Sequence, residues 1–246
     1  MFRFWVIICI ASACFAACTG GGKRDIKAYY FPTDDLRKGL VYEYEVTQNG
    51  ISTPEYWYYR SFQRDSGAFL TSTYYDQFFQ IGQISREKIV ESGALAQEYF
   101  LYETDSVTGG QNQTRTMITA PDIFPFRVKD STGVFLFSVN FHPSDDSLAT
   151  VYVIRNRRFL GDAPEYEVLG KKLPCVRFRL HEAIGNKKEG AAEVEGVGEE
   201  RYAKGIGLVW YRKTYGNGAL QIEGRLLNIF PMAELELKAA EYFGEE

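Results

Sequence analysis

From Gly39 onward, apolar and polar residues alternate with period two. Leu40, Tyr42, Tyr44 and Val46 fall on one side of the run, and Glu43, Glu45 and Thr47 fall on the other. That period marks a strand with one buried face. Asn49-Gly50 follows, a dipeptide that closes two-residue hairpins, and Tyr56-Trp57-Tyr58-Tyr59 opens the next strand after Pro54. The same reading predicts strands over 68–75, 97–103, 114–119, 134–141, 149–159, 165–169, 175–181, 192–202, 207–215 and 219–229. Gly109-Gly110, Pro121, Pro143, Asn186, Gly205 and Asn217-Gly218 separate most of them as turns.

No stretch alternates long helices with strands, which argues against a doubly wound sheet. The expected fold is all-β, an antiparallel meander curled into a barrel or half-barrel, because closure removes open sheet edges. The β domain spans 39–230. The tail 231–246 begins at Pro231, and its 232–243 stretch is compatible with a short helix over an open end. Residues 18–38, rich in glycine and charge and carrying Pro32 and Asp34-Asp35, read as a tether and lead-in. The expected interior is a continuous apolar cavity lined by inward Tyr, Phe, Leu and Val.

The first residues have the anatomy of a secretory signal, 1–17. Arg3 supplies the positive start, Phe4 to Ala17 is nearly all apolar or small, and Ala16-Ala17 sits before Cys18. The run is shorter than the ~20 apolar residues of a membrane-spanning helix. Phe15-Ala16-Ala17-Cys18, followed by Thr19-Gly20-Gly21-Gly22, resembles the lipobox of bacterial lipoproteins. The resemblance implies that Cys18 is the lipidated first residue of the mature chain, with Cys14 as an alternative acceptor. Three acyl chains hold a protein to a membrane stably, since two already suffice. Thr19 in place of an Asp after the anchor points, by the sorting rules of such proteins, to the outer membrane.

Composition narrows the partners. The chain of 246 residues has a formal charge of −4, and losing Arg3 with the signal makes it more acidic. An acidic chain is a poor match for nucleic acid or anionic headgroups, so lipid and not charge brings it to the membrane. Of four cysteines, Cys9 and Cys14 leave with the signal and Cys18 takes the lipid. Cys175 alone remains, so no internal disulfide is expected, and its strand-like setting suits a small buried hydrophobe. The 17 tyrosines and 18 phenylalanines favour pleated structure.

No catalytic constellation stands out. His142 precedes Pro143 in a turn and His181 ends a strand, so neither is expected to be catalytic. The chain has no Gly-x-Ser-x-Gly elbow, no His-Glu-x-x-His and no Cys/His cluster, so no metal or cofactor is expected. Asp34-Asp35 and Asp145-Asp146 lack the spacing of a calcium loop. In Arg155-Asn156-Arg157-Arg158, alternation places Arg155 and Arg157 on one strand face, where they could meet phosphate or acidic sugar. The preferred reading is a solvent-facing strand whose charges block edge pairing. Asp105-Ser106-Val107, Asp130-Ser131-Thr132 and Asp146-Ser147-Leu148 resemble an O-glycosylation triplet of some bacteria.

Residues 168–177, Val-Leu-Gly-Lys-Lys-Leu-Pro-Cys-Val-Arg, precede a second run over 199–211, Glu-Glu-Arg-Tyr-Ala-Lys-Gly-Ile-Gly-Leu-Val-Trp-Tyr. This order resembles the closing strands of uncharacterised bacterial periplasmic half-barrels, which are structurally similar to lipoprotein carriers of the LolA/LolB type. The resemblance implies that Gly205 and Gly207 supply backbone freedom for a tight turn. It also implies a concave apolar face able to hold an acyl chain.

The expected protein is an outer-membrane-anchored periplasmic lipoprotein, non-enzymatic, that binds a hydrophobic ligand or an envelope protein partner through a curved sheet. Two rivals stand beside it. One is a structural accessory subunit of an outer-membrane or surface complex, and the other is a hydrolase using paired carboxylates.

Overall fold

A computed structural model describes residues 23–104, 109–129, 133–144, 146, 148–187 and 193–244. The strands are β1 (Arg24–Asp25), β2 (Leu40–Gln48), β3 (Ile51–Arg64), β4 (Gly67–Tyr75), β5 (Ile81–Val90), β6 (Gly93–Thr104), β7 (Gln111–Arg115) and β8 (Met117–Pro125). They continue with β9 (Arg127–Val128), β10 (Val134–Phe141), β11 (Val151–Val168), β12 (Lys171–Asn186), β13 (Val194–Ala203), β14 (Gly207–Tyr215) and β15 (Leu220–Phe230), followed by the helix α1 (Met232–Phe243).

Twelve strands close into an antiparallel barrel. The order around the wall is β2-β3-β4-β5-β6-β8-β10-β11-β12-β13-β14-β15, and β15 pairs back onto β2. β7 extends the last residues of β6, and β1 pairs with β9. The first hairpin turns as read: Asn49 and Gly50 both have positive φ, the backbone that lets a two-residue loop follow the strand twist. Gly205 and Gly207 also have positive φ, and a Cβ on Gly207 would stand 2.6 Å from the Phe31 ring.

β2 keeps its predicted faces. Tyr42, Tyr44 and Val46 are buried in the interior, with Leu40 packed against them. Three of the differences from the sequence reading bear on the barrel wall. β5 has no counterpart in it. The segments 149–159 and 165–169 belong to one long strand, β11, with bulges near Gly161 and before Tyr166. The segment 114–119 divides at Thr116, whose N–H and Oγ1–H both donate to the Tyr99 carbonyl.

A twelve-stranded barrel is wider than its own side chains readily fill. The chain fills one region with its lead-in. Within the range read as tether and lead-in, β1 and two 3₁₀ turns (Lys27–Tyr29 and Asp35–Lys38) fold onto the barrel, and Ile26, Tyr30 and Leu36 are buried in its core. Around this plug, Phe124, Phe126, Phe159, Phe178 and Tyr202 pack edge-to-face or tilted. Each such buried ring contributes about 1.5–3 kcal/mol.

The C-terminal helix forms, but on the outside of the wall and not over an opening. Leu235 and Met232 pack with Val41, Tyr56, Tyr58 and Phe230, and Lys238 Nζ reaches Glu43 Oε1 at 3.1 Å. Those wall residues alternate with the inward set, so β2 and β3 each carry two apolar faces at this place. Gly244, with φ 70°, ends the helix in the left-handed conformation.

Candidate functional site

The inward faces of several strands change character along their length. On β11 Phe159 gives way to Arg157 and Arg155, and on β12 Phe178 gives way to Glu182. On β13 Tyr202 is followed by Glu200, and on β14 Tyr211 by Lys213 and Tyr215. On β3 Tyr59 and Trp57 lead to Glu55, and on β5 Ile89 leads to Glu87, Ser85 and Gln83. The apolar ends meet the plug. The polar ends enclose a cavity of about 300 Å³, the low end of small-molecule sites. Trp57, Tyr59 and Tyr211 are among its aromatic lining residues and Arg155, Arg157 and Lys213 are its cations, with Lys213 Nζ 5.7 Å from the centroid of the Tyr211 ring.

The charges are paired across strands. Arg157 grips Glu200 at two points, Nε to Oε2 at 2.8 Å and Nη2 to Oε1 at 3.2 Å, and the Tyr202 hydroxyl donates to Glu200 Oε2 at 2.9 Å. Glu182 accepts from Arg155 Nε and the Tyr215 hydroxyl, and Lys213 Nζ lies 3.2 Å from its Oε2. Arg155 and Glu182 are register partners on β11 and β12, so sheet pairing alone brings them together. Glu200 sits on β13, one strand further from Arg157, and the long guanidinium spans the gap.

Burial sorts the carboxylates into two kinds. It would raise Glu182 and Glu200, but Arg155 and Lys213 beside Glu182, and Arg157 beside Glu200, hold both below the usual carboxylate range. Glu87 has weaker partners. Burial pushes it up to about 7, against the Tyr30 hydroxyl that donates to it at 2.5 Å and the more distant charge of Arg157. Glu55 is raised by burial too. Burial and the neighbouring Arg155 push the Lys213 ammonium down, with Glu182 opposing. Three cations therefore face two firmly ionised carboxylates and two displaced toward the neutral form.

Three buried donors lack a partner among the described residues, Arg86 Nε, Arg177 Nε and Arg157 Nη1, and of these only Arg157 belongs to the cavity lining. Arg157 Nη1 is buried and has no hydrogen-bond partner among the described residues, although Arg157 is only 4% exposed and lines the cavity. Such an orphan costs about 1–3 kcal/mol unless something in the cavity meets it.

The sequence reading placed Arg155 and Arg157 on one face, and they share one. The preferred side was wrong: they face the barrel interior, not solvent. The continuous apolar lining is corrected in the same way, since aromatic residues make only part of the wall. Neither histidine joins the site. His142 Nδ1 contacts the Ala149 carbonyl at 2.8 Å in its turn, and His181, half exposed, lies 4.0 Å from Glu195. Cys175 is buried and free, its Sγ 3.4 Å from the Leu173 carbonyl. Asp34 pairs with Arg37 and Asp146 caps the turn at Leu148 and Ala149. Among the described residues no group of three or more His, Cys, Asp or Glu could hold a metal ion. Cys18, expected from the sequence to carry the lipid, the alternative Cys14, Asp145, Ser147 and the triplets at 105–107 and 130–132 lie outside the described residues.

No protein-family model matches the chain, and no curated protein matches it by sequence. Its fold does have solved relatives in shape. A protein described as a lipoprotein from Parabacteroides distasonis ATCC 8503 is similar over 82% of this chain and 97% of its own, with 15% identity and a TM-score of 0.51. An exported protein with a YmcC-like fold from Bacteroides fragilis NCTC 9343 is similar over 81% of this chain and 98% of its own, with 15% identity and a TM-score of 0.52. At this identity the likeness establishes the fold alone: a closed antiparallel β-barrel also built by these two bacterial proteins.

Proposed function

We propose that the chain is a non-enzymatic periplasmic lipoprotein, anchored in the outer membrane through Cys18, whose barrel binds a small ligand in its interior. The observation that carries the reading is the cavity itself, whose lining combines the aromatic Trp57, Tyr59 and Tyr211 with the cations Arg155, Arg157 and Lys213. A wholly hydrophobic ligand would leave the charged side dehydrated and unmatched. The ligand is therefore amphipathic, with an apolar or aromatic body and a polar group. The lipobox-like residues at Cys18 and the described lipoprotein among the fold relatives support the envelope location.

The hydrolase reading needs two unencumbered carboxylates converging on a substrate. Glu182 and Glu200 are each engaged by arginine and Glu87 by the Tyr30 hydroxyl, which leaves only Glu55 of the four. The accessory-subunit reading has one observation in its favour. Phe78, Leu237, Tyr242 and Phe243 are exposed, and the Phe78 and Tyr242 rings meet at 6.2 Å between the β4–β5 connection and α1, a surface able to meet an envelope protein.

The test is native mass spectrometry with organic extraction on the lipidated chain, isolated in detergent from its own envelope. A co-purifying amphipathic molecule is expected. A chain free of any retained molecule, and binding none added back from envelope extract, would overturn the ligand reading in favour of the accessory one. The anchor is tested separately: Cys18→Ala should move the protein from the membrane to the soluble periplasmic fraction, and unchanged retention would end that assignment.

A further inference from the structure

We infer that the cavity is an oxyanion site: it takes a small organic molecule bearing a carboxylate or phosphate, with Arg157 Nη1 and Lys213 Nζ as donors and Trp57, Tyr59 and Tyr211 against its body. The inference rests on the ligand-binding reading and adds the chemical class of the ligand.

Three independent observations carry it. The first is the orphan donor. Arg157, a lining residue of the cavity, spends Nε and Nη2 on Glu200, and its Nη1 is left buried without a partner among the described residues. An unmatched guanidinium N–H on a cavity-lining residue is best met by an anionic oxygen.

The second is spare capacity on the neighbouring cation. Lys213 contacts Glu182 at 3.2 and 3.4 Å, yet an ammonium has three N–H groups. Lys213 and Arg157 both line the cavity and both act on Glu200. Their remaining donors serve one ligand group.

The third is the aromatic part of the lining. Trp57 stacks near Tyr59, with centroids 6.3 Å apart and planes 15° from parallel, and it meets Tyr74 at 5.1 Å. Such a surface accepts a flat or apolar body and supplies no anion to compete for the cations. Of the acidic groups that line the cavity, Glu200 is held by Arg157 and Tyr202 and Glu87 by Tyr30, while burial disfavours the charged form of Glu55.

The experiment uses the full lipidated chain in detergent, with phenyl phosphate, phenol and inorganic phosphate as probes, read by calorimetry and by tryptophan fluorescence. Phenyl phosphate should bind at least tenfold tighter than phenol, which lacks the anion, and tighter than inorganic phosphate, which lacks the ring. Arg157→Lys keeps a charge opposite Glu200 but removes the guanidinium fork, and it should weaken phenyl phosphate at least tenfold while leaving phenol unchanged. The wild-type comparison of the three probes stands even if that variant fails to fold. Equal affinity for phenol and phenyl phosphate would overturn the inference. So would no binding of phenyl phosphate at millimolar concentration, which would mean that water alone meets Arg157 Nη1. A neutral molecule found by native mass spectrometry would sustain the ligand-binding reading and overturn this one.

Discussion

Arg157 and Glu200 meet inside the barrel as a two-point ion pair, with their side chains only 5% and 4% exposed. Neither residue could be buried alone. An isolated charge inside a protein costs several kcal/mol, and the pair repays this only where its geometry is good and its remaining atoms are satisfied. Here Tyr202 completes Glu200, while Arg157 keeps one donor unmatched.

Breaking the pair from the acidic side should be costly. Glu200→Gln leaves a buried guanidinium without its counter-charge and is expected to destabilise by about 3–5 kcal/mol. Arg157→Met combined with Glu200→Gln removes both charges and should recover a large part of that loss. Urea unfolding of the single and double variants measures the coupling. If Glu200→Gln costs less than about 1 kcal/mol, the pair is not desolvated as described.

Glu87 gives the barrel a pH dependence near neutrality. An unfolded glutamate releases its proton near 4.5, whereas burial keeps the folded one protonated up to about 7. Between those values the folded state holds a proton that the unfolded chain has lost, so this group's contribution falls as pH rises through the window. The gap corresponds to about 3 kcal/mol between its ends. Glu182 and Glu200, held low, act in the opposite sense, and the stability they give is lost only on acidification below the ordinary carboxylate range. Glu87→Gln should match the wild type near pH 5 and exceed it at pH 8. Melting temperatures of both proteins at the two pH values test this, and parallel curves would refute it.

The barrel wall was legible where its inner face is apolar. Tyr42, Tyr44 and Val46 announce β2 because oil faces in and charge faces out. The same rule hides β5, whose inward Gln83, Ser85 and Glu87 are polar because they line the charged side of the cavity. With both faces polar, period two disappears from the sequence. Arg155 and Arg157 show the other half of the difficulty. Alternation puts them on one face, but which face depends on Glu182 and Glu200, which lie 27 and 43 residues further on and meet them only after β12 and β13 have paired. The plug was obscured by its composition, since Lys27, Asp34 and Asp35 read as solvated tether while Ile26, Tyr30 and Leu36 between them insert into the core.

The helix on the outer wall carries a sharp contrast between neighbouring leucines. Leu235 is 2% exposed against Val41, Tyr56 and Phe230, whereas Leu237 is 65% exposed. Leu235→Ala should cost about 2–4 kcal/mol through lost burial and the space left behind. Leu237→Ala should stay within about 0.5 kcal/mol. Denaturant melts of the two variants decide the matter, and equal effects would mean that α1 does not dock as described.

A last consequence concerns how the aromatic side of the cavity is held. Gly224 on β15 is the register partner of Tyr211 on β14, and the tyrosine ring lies flat over the glycine. A Cβ at Gly224 would fall 2.2 Å from Tyr211 Cε1, closer than any real contact, so the ring must leave. The backbone there is ordinary strand and tolerates alanine, which makes the clash itself the whole perturbation. Gly224→Ala should therefore destabilise by about 1–3 kcal/mol, as overpacked sites do, and drive Tyr211 into the space the ligand would use. In Gly224→Ala/Tyr211→Ala the clash is gone, so the pair should cost less than the sum of the two single changes. Additive losses would show that Tyr211 does not rest on Gly224, and that the cavity wall owes its shape to some other contact.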